Sequence, residues 1–384
     1  MAKRRGHGEG TVYQREDGLW VGSLTLGYEG GKRKRKYLYG KTQREVLLKL
    51  SPVRHAQQQG VSLLTDERQT LGQYLERWLE DSAKPTIRAK TYASYAQLVR
   101  LYLLPELGCV QLTRLTPRDV QAFLNRRLEA GLSARTVQYT HAVLRRALNQ
   151  ALKWGLVQRN VAALVDAPRV HRPEAKFLPP EQALAFLESV RGDRLEAVYV
   201  VAMPLGLRPG ETLGLHWADV DLDAGTLSVR VGLQRIEGRL QLVEPKTARS
   251  RRHVPLPTLV LTALRAHRTR QLEERLQAGE LWEESGFVFT NILGKPLAEE
   301  WVSKCFHKVL TRAGLPSIRL YDLRHTCASL LLTLGVPMRV VMEILGHSQI
   351  SITANTYTHV IPQLERDAAD RIDAFFTAGH TARA

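Results

Sequence analysis

Apolar and polar residues alternate with a period of two over residues 11–39, which is typical of β-strands. Three runs, TVYQR, LWVGSLTL and KRKRKYLY, are separated by Asp17-Gly18 and by the turn sequence GYEGG. Gly after Asp is a strong hairpin signal because glycine tolerates the positive φ that such turns require. The pattern predicts a three-stranded antiparallel sheet, backed by a helix over residues 42–59. Three apolar side chains of that helix are expected to face the sheet: Val46, Leu47 and Leu50.

From residue 70 to residue 165 the apolar residues recur every three or four positions, which predicts amphipathic helices. The clearest run comprises Leu71, Tyr74, Leu75, Trp78 and Leu79. A later helix opens at Thr116-Pro117-Arg118-Asp119 with an N-cap, a first-turn proline and a capping acid, and Ser133 can cap the next helix. We therefore expect a small all-helical bundle. Its many arginines fit a DNA clamp and a merely solvated bundle about equally well.

A proline-rich stretch separates this bundle from the rest of the chain. Residues 166–180, DAPRVHRPEAKFLPP, contain four prolines and little periodicity, which is typical of a linker. A second, mainly helical unit follows, with a strand region over residues 219–255. There Leu240–Val243 is expected to pair with His253–Leu256, which would place Lys246 in a hairpin turn.

These patterns predict a multidomain protein with three folded parts. The first is a small N-terminal β-sheet plus a helix, the second an all-α bundle, and the third a mainly α C-terminal domain with a small antiparallel β-sheet. The predicted limits are 1–60 for the sheet, 66–165 for the bundle, 166–178 for the linker and 179–384 for the last domain.

The formal net charge of +17 points to a polyanionic partner, and nucleic acid is the first candidate. Residues 1–60 hold thirteen Lys/Arg and five Asp/Glu, so +8 of that charge lies in less than a sixth of the chain. Charges occupy both faces of the third predicted strand, and a buried face cannot hold them. The residues predicted to contact DNA there are Lys32, Arg33, Lys34, Arg35 and Lys36. A basic, partly disordered tail is the alternative.

Several other classes of protein are disfavoured by the sequence. The three cysteines, Cys109, Cys305 and Cys327, are far apart and form neither a metal-binding spacing nor a disulfide framework. No apolar run approaches the ~18 residues that a membrane span needs. The start MAKRRGHGEG lacks the apolar segment of a signal peptide. We therefore expect an intracellular protein without a metal site.

Three separated segments of the second unit place cationic side chains next to backbone turns. They are LGLRPGETL with Arg208 and Glu211, EPKTARSRRHVPL with Lys246, and the stretch from Tyr321 to Val360 with Arg324, His347 and Tyr357. A phenol has a pKa of roughly 10 and is a poor nucleophile at neutral pH unless cations stabilise the developing charge. Phosphate is a substrate that needs such cations. Tyr357 is therefore either a nucleophile that attacks phosphate or a core aromatic residue.

Five motifs in this order resemble the tyrosine recombinase (phage integrase) family, which includes the Xer-type recombinases: LGLRPGETLGL, PKTARSRRHVPL, YDLRHTCASLLL, EILGHSQISIT and TYTHV. The resemblance spans roughly residues 175–365, and the helical unit before them looks like the family's core-site-binding domain. Residues 1–60 look like the N-terminal arm-site-binding sheet of mobile-element integrases. The resemblance implies a site-specific recombinase for integration and excision of a mobile element, cytoplasmic and nucleoid-associated, without a cofactor.

The resemblance also implies a role for each site residue. Tyr357 would attack the scissile phosphate and form a 3′-phosphotyrosyl bond, while Arg208 and Arg324 would bind its non-bridging oxygens. Lys246 would protonate the leaving 5′-oxygen, and His347 would hydrogen-bond the phosphate. Glu211 would orient an arginine. The implied partners are double-stranded DNA at core and arm-type sites, three further copies of the chain in a tetramer, and accessory DNA-bending proteins.

One position departs from the family pattern. The third segment usually reads His-x-x-Arg, but here it reads Tyr321-Asp322-Leu323-Arg324. A neutral tyrosine can donate a hydrogen bond to phosphate, yet it is a poor base at neutral pH. His325 does not fill the vacancy by default, since the next residue on a helix points about a quarter-turn away. Asp322 is expected to be a helix-start residue.

Three other functions stay open. A Xer-type recombinase that resolves chromosome or plasmid dimers would share the chemistry, but such proteins generally lack a module like residues 1–60. A DNA-binding protein with an impaired site is favoured only by Tyr321. A type IB topoisomerase would also use Arg, Lys, His and Tyr, and the N-terminal module disfavours it.

Overall fold

The computed structural model describes residues 11–29, 32–58, 68–170, 176–245, 251–346 and 369. The chain divides into two compact units at His171/Arg172, and each is described by itself. Within the first unit, β1 (Thr11–Gln14), β2 (Trp20–Glu29) and β3 (Lys32–Gly40) form an antiparallel sheet in the order β1-β2-β3. The helix α1 (Gln43–Gln58) follows. The predicted three strands and backing helix are confirmed.

The sheet and α1 share a small apolar core made by Leu24, Val46 and Leu50. A Cβ atom on Gly22 would lie 2.5 Å from a methyl group of Leu50, so the strand backbone packs directly on the helix. The expectation that Leu47 faces the sheet is wrong, since its side chain is 48% exposed. It lies one residue after Val46, about 100° round the helix, and therefore points away from the core.

The helical bundle completes the first unit. Its helices are α2 (Leu71–Trp78), α3 (Ala89–Leu98), α4 (Leu104–Leu107), α5 (Pro117–Glu129) and α6 (Ala134–Lys153). Two π-helical turns, Leu79–Ala83 and Val99–Leu103, continue α2 and α3, and short 3₁₀ turns lie at Leu112–Arg114 and Val161–Leu164. The predicted caps are present, since Thr116 and Asp119 form a reciprocal capping box and the Ser133 hydroxyl accepts from the Thr136 amide.

The second unit is mainly helical. Its helices are α7 (Pro180–Ser189), α8 (Glu196–Ala202), α9 (Pro209–Leu213), α10 (Thr258–Ala278), α11 (Glu299–Arg312), α12 (Asp322–Thr333) and α13 (Met338–Leu345). Its strands are β4 (Val220–Asp221), β5 (Thr226–Val229), β6 (Gly232–Ile236), β7 (Arg239–Val243) and β8 (Arg252–Pro255). Short 3₁₀ turns lie at Trp217–Asp219 and Gly279–Leu281. A large apolar cluster buries almost all of α8, and a separate smaller cluster packs α12 against α13.

The strands of this unit pair differently from the sequence-based expectation. β7 pairs with β6, whereas β8 joins β4 and β5 in a separate sheet, so Leu240–Val243 does not pair with His253–Leu256. The reason is the two-residue turn Glu237-Gly238, where both residues have positive φ (49° and 81°) and close a tight hairpin between β6 and β7. The connection from β7 to β8, in which Lys246 lies, therefore links two sheets and does not close a hairpin.

Among the residues described, no helix combines the length and the apolar character needed to cross a membrane. The predicted limits of the domains at residues 60, 66, 165 and 178 stay predictions.

Candidate active site

Arg208 and Glu211 lie at the N-terminus of α9 and contact each other. Arg208 is the N-cap residue, and the first-turn Pro209 has no amide hydrogen that would need an acceptor. Glu211 accepts from the Arg208 amide at 3.1 Å and, through Oε1, from Nη1 of the Arg208 guanidinium at 2.6 Å. The Glu211 side chain is only 8% exposed, and that of Arg208 is 34% exposed. The carboxylate therefore fixes a guanidinium that still reaches solvent.

Close packing on β6 holds α9 in place. A Cβ atom on Gly210 would lie 2.7 Å from the backbone oxygen of Leu233, and one on Gly214 would lie 2.8 Å from the Leu233 amide nitrogen. The helix therefore approaches the strand backbone more closely than any residue with a side chain would allow. This contact fixes the position of Arg208 and Glu211 relative to the sheet.

Arg324 lies on α12, is 1% exposed, and reaches the segment that leads into α9. Its Nη1 donates to the Gly206 backbone oxygen at 2.7 Å, and its Nη2 donates to the Leu345 backbone oxygen. Burial and the nearby charge of Arg208 lower the pKa of Arg324 to about 10, so the guanidinium keeps its charge at neutral pH. The structure thus brings together two arginines that are 116 positions apart in the sequence.

A third arginine, Arg252, joins this group from β8. Its Nη2 donates to Oε2 of Glu211 at 3.1 Å, and its Nε donates to the Ile344 backbone oxygen at 2.8 Å. This residue lies within the motif PKTARSRRHVPL but is not among the predicted site residues. A signal was available in the alternation of the strand, because Arg252 shares a face with the buried Val254 while His253 is exposed. An arginine on the apolar face of a strand needs a carboxylate partner.

Glu211 is therefore shared by two guanidiniums. Burial alone would raise the pKa of Glu211, but the charges of Arg252 and Arg208 and the hydrogen bonds from Arg208 together hold it below its ordinary value of 4.5. The carboxylate is ionised at neutral pH. It compensates part of the positive charge without facing solvent.

Tyr321 is the N-cap residue of α12 and is 38% exposed. Its ring lies 5.5 Å from that of His325, one helical turn along, in an edge-to-face arrangement. Asp322 is 1% exposed and accepts from the backbone amide and both ends of the guanidinium of Arg319. Its contacts are those of a helix-start residue.

Lys246, His347 and Tyr357 lie outside the described residues. The chain leaves α13 through Gly346, whose left-handed conformation (φ 65°, ψ 44°) ends the helix. The last two carbonyls before this glycine, those of Ile344 and Leu345, are the acceptors for Arg252 and Arg324. The two arginines therefore fix the point from which the chain continues toward His347.

The predicted DNA-binding strand β3 presents an exposed face in the first unit. Arg35 is exposed and pairs with Thr25 across the sheet, whereas Lys36 is partly buried opposite the buried Leu24. Lys32, Arg33 and Lys34 lie in β3 with side chains outside the description. Three tyrosines that the sequence analysis did not single out, Tyr13, Tyr37 and Tyr39, are between 44% and 50% exposed on the Arg35 face. The face therefore combines a cation with aromatic rings.

Within the described part of the chain, no group of His, Cys, Asp or Glu side chains could hold a metal ion. The positive charge of the site comes from arginines held by one carboxylate and by backbone carbonyls. Arg208, whose side chain is 34% exposed, can donate to an anion through a planar, permanently charged group, while Arg324 adds positive charge from a buried position where its Nη groups donate to backbone oxygens.

Comparisons with known proteins agree on one family. The model of the phage integrase family matches residues 176–363, and the N-terminal SAM-like domain of phage integrases matches residues 70–128. A tyrosine recombinase XerC-like protein of Caldanaerobacter subterraneus subsp. tengcongensis is 32% identical, over 92% of this chain and 95% of its own length. An integrase of Saccharopolyspora erythraea is 30% identical, over 97% of this chain and 98% of its own length.

Two solved structures show the same fold. The Tn1549 transposon integrase in complex with transposon right-end DNA has a TM-score of 0.66 at 21% identity, covering 79% of this chain and 99% of its own. A lambda integrase tetramer bound to a Holliday junction has a TM-score of 0.57 at 18% identity, covering 88% of this chain and 96% of its own.

Proposed function

This chain belongs to the phage integrase family of tyrosine recombinases, and we propose that Tyr357 is its nucleophile and Arg208 and Arg324 its phosphate-binding residues. The chain is a DNA strand-cleaving and rejoining enzyme that integrates and excises a mobile element. The observation that carries the residue assignment is that the Arg324 guanidinium donates to the Gly206 backbone oxygen, two residues before Arg208, although the two arginines are 116 positions apart in the sequence.

In the proposed reaction the Tyr357 oxygen attacks the scissile phosphorus. One phosphorus–oxygen bond forms to the tyrosine and the bond to the 5′-oxygen breaks, so the DNA is left with a 3′-phosphotyrosyl link and a free 5′-hydroxyl. The arginines stabilise the charge on the two non-bridging oxygens in the transition state. Lys246 donates the proton that the leaving oxygen takes up, and His347 donates a hydrogen bond to the phosphate. A 5′-hydroxyl of another strand reverses the step and reseals the DNA.

The Tyr321 position leaves the proton of the Tyr357 hydroxyl without the usual histidine acceptor. Tyr321 is exposed at the start of α12 and can donate a hydrogen bond to phosphate from there. Bulk water then receives the proton of the nucleophile. Tyr321 is therefore assigned to phosphate binding and not to base catalysis.

We further propose that the enzyme acts as a homotetramer on two duplexes and binds core-type sites and arm-type sites, with accessory DNA-bending proteins. Its likeness in fold to the lambda integrase tetramer on a Holliday junction supports the tetramer. The exposed, basic and aromatic face of β1–β3 supports a second DNA site bound by residues 1–60. The XerC-like relative favours a second candidate, dimer resolution at a core site alone.

A nicked suicide substrate tests the nucleophile. Wild-type protein is expected to trap a covalent protein–DNA complex, because the short strand released next to the nick diffuses away and cannot religate. Tyr357→Phe lacks only the attacking oxygen, so it is expected to bind the same DNA with unchanged affinity and to trap nothing. Trapping by Tyr357→Phe would overturn the assignment. Binding by the wild type without cleavage across a range of pH would instead indicate a DNA-binding protein with an impaired site.

A further inference from the structure

Arg252 makes directed contacts to two different elements of the site. Its Nη2 donates to Glu211, and its Nε donates to the Ile344 backbone oxygen in the last turn of α13. The Arg252 side chain is 8% exposed, as is that of Glu211. A guanidinium carries donors on several edges of one rigid plane, so it can hold two acceptors in a fixed relation.

The contacts link the Arg208–Glu211 pair to the end of α13, two parts of the site that Arg324 also joins through the Gly206 and Leu345 backbone oxygens. On one side, Glu211 also holds the Arg208 guanidinium. On the other, Ile344 is two residues before Gly346, where the chain turns out of α13. The unpaired carbonyls of a helix C-terminus carry partial negative charge, and a cation placed against them is stabilising. Arg252 therefore fixes the distance from the Arg208–Glu211 pair to the end of α13.

We propose that Arg252 is a positioning residue for DNA strand cleavage. It holds the phosphate-binding Arg208, through Glu211, in register with the chain segment that leads from α13 to His347 and Tyr357. The role differs from that of Arg208, whose side chain is 34% exposed and available to a ligand. The inference rests on the proposed function, because it takes Tyr357 as the nucleophile and Arg208 as a phosphate ligand.

The test compares Arg252→Met with Arg194→Met. Arg194 is a matched control in the same unit, because it makes a two-armed ion pair with Glu274 and also donates to a backbone oxygen, that of Thr290. Both substitutions remove a carboxylate-paired arginine, so both are expected to lower the free energy of unfolding. Only Arg252→Met is expected to slow single-turnover cleavage of the nicked substrate at saturating DNA, by about 10²-fold, with the DNA dissociation constant unchanged.

Arg252→Lys keeps the positive charge and tests whether both hydrogen bonds of Arg252 are needed. It replaces Arg252→Met in the experiment if that variant does not fold. A lysine cannot reach both acceptors with fixed geometry, so its cleavage rate is expected to lie between those of the wild type and Arg252→Met. Replacing one non-bridging oxygen of the scissile phosphate with sulfur is expected to slow the wild type and Arg252→Lys by the same factor, since a positioning residue does not touch that oxygen.

The proposal is overturned if Arg252→Lys cleaves at the wild-type rate, or if Arg194→Met loses as much cleavage rate as Arg252→Met. It is also overturned if the sulfur substitution slows the wild type but not Arg252→Lys, because Arg252 would then be a phosphate ligand. The outcomes also separate this inference from the proposed function. If the wild type traps no covalent complex, the proposed function fails, whereas if both wild type and Arg252 variants trap it at one rate, only the positioning role fails.

Discussion

At the scale of single residues, the site depends on one carboxylate between two arginines. Glu211 is buried and contacts both Arg208 and Arg252. Without this carboxylate, the buried Arg252 guanidinium loses its compensating charge at a place that water cannot reach, and the partly exposed Arg208 loses its ion-pair partner. Because the pKa of Glu211 in the folded protein lies below its ordinary value of 4.5, its ion pairs stabilise the fold above that pH. The contribution is lost as the pH falls through the folded-state pKa.

Glu211→Gln is therefore expected to lower the free energy of unfolding by roughly 3–5 kcal/mol at neutral pH. The difference from wild type is expected to shrink as the pH falls from 4.5 through the lower pKa of Glu211 in the folded protein, because the wild-type carboxylate then becomes protonated. Urea unfolding followed by circular dichroism between neutral and acidic pH measures this. Glu300→Gln is the control, since Glu300 pairs with Arg235 at the surface with side chains 58% and 41% exposed, and it should change stability little. A difference that does not vary with pH would contradict the prediction.

The sequence made Arg208, Glu211 and Arg324 identifiable because each lies in a motif of recognisable spacing. Arg252 could not be distinguished in this way, since three arginines occur within RSRR and only the fold selects which one turns inward. Arg252 donates to the backbone carbonyl of Ile344. Every residue type has such a carbonyl, so the sequence could not indicate this contact. The departure at Tyr321 was visible in the sequence, but its exposure at the start of α12 was not.

At the scale of elements, helix boundaries followed from local signals and strand pairing did not. Thr116, Asp119 and Ser133 cap helices through contacts three residues apart, which the sequence contains in full. The pairing of β7 depended on Glu237-Gly238, where a non-glycine residue adopts positive φ. Such a residue is a weak turn signal, so the sequence predicted a pairing of β7 with β8 and not with β6. Local sequence patterns thus predicted where helices and strands lie, whereas the pairing of strands depended on the tertiary structure.

The packing of α9 on β6 gives a prediction at the same scale. Gly210→Ala places a methyl group 2.7 Å from the Leu233 backbone oxygen, so α9 must shift together with Arg208 and Glu211. We expect a loss of roughly 1–3 kcal/mol in stability and of about 10²-fold in single-turnover cleavage. Gly232→Ala is the matched control, because its methyl group would meet the same interface at an ordinary 3.4 Å. Equal cleavage rates in the two variants would show that the close approach is not needed for the site.

At the scale of the whole molecule, charge and folded structure are divided between parts with separate cores. The sheet and α1 enclose Leu24, Val46 and Leu50, and the bundle and the second unit each have their own apolar core. Residues 1–60 carry +8 of the net charge. An N-terminal module with its own core and nearly half the net charge is expected to bind DNA without the site of the second unit.

Deleting residues 1–60 tests this division. We expect the shortened chain to cleave a nicked core-site substrate at the wild-type rate, because the contacts of Arg208, Arg252 and Arg324 with Glu211 and with backbone oxygens all lie within the second unit. Integration between complete attachment sites is expected to be lost, and the footprint at a second DNA site with it, because the exposed Arg35 face of the sheet is gone.

The affinity of the full chain for that second site should fall steeply with salt, as neutralised phosphates release counterions. Recombination of short core sites that survives the deletion, with no second site footprinted by the full chain, would instead indicate dimer resolution of the Xer type.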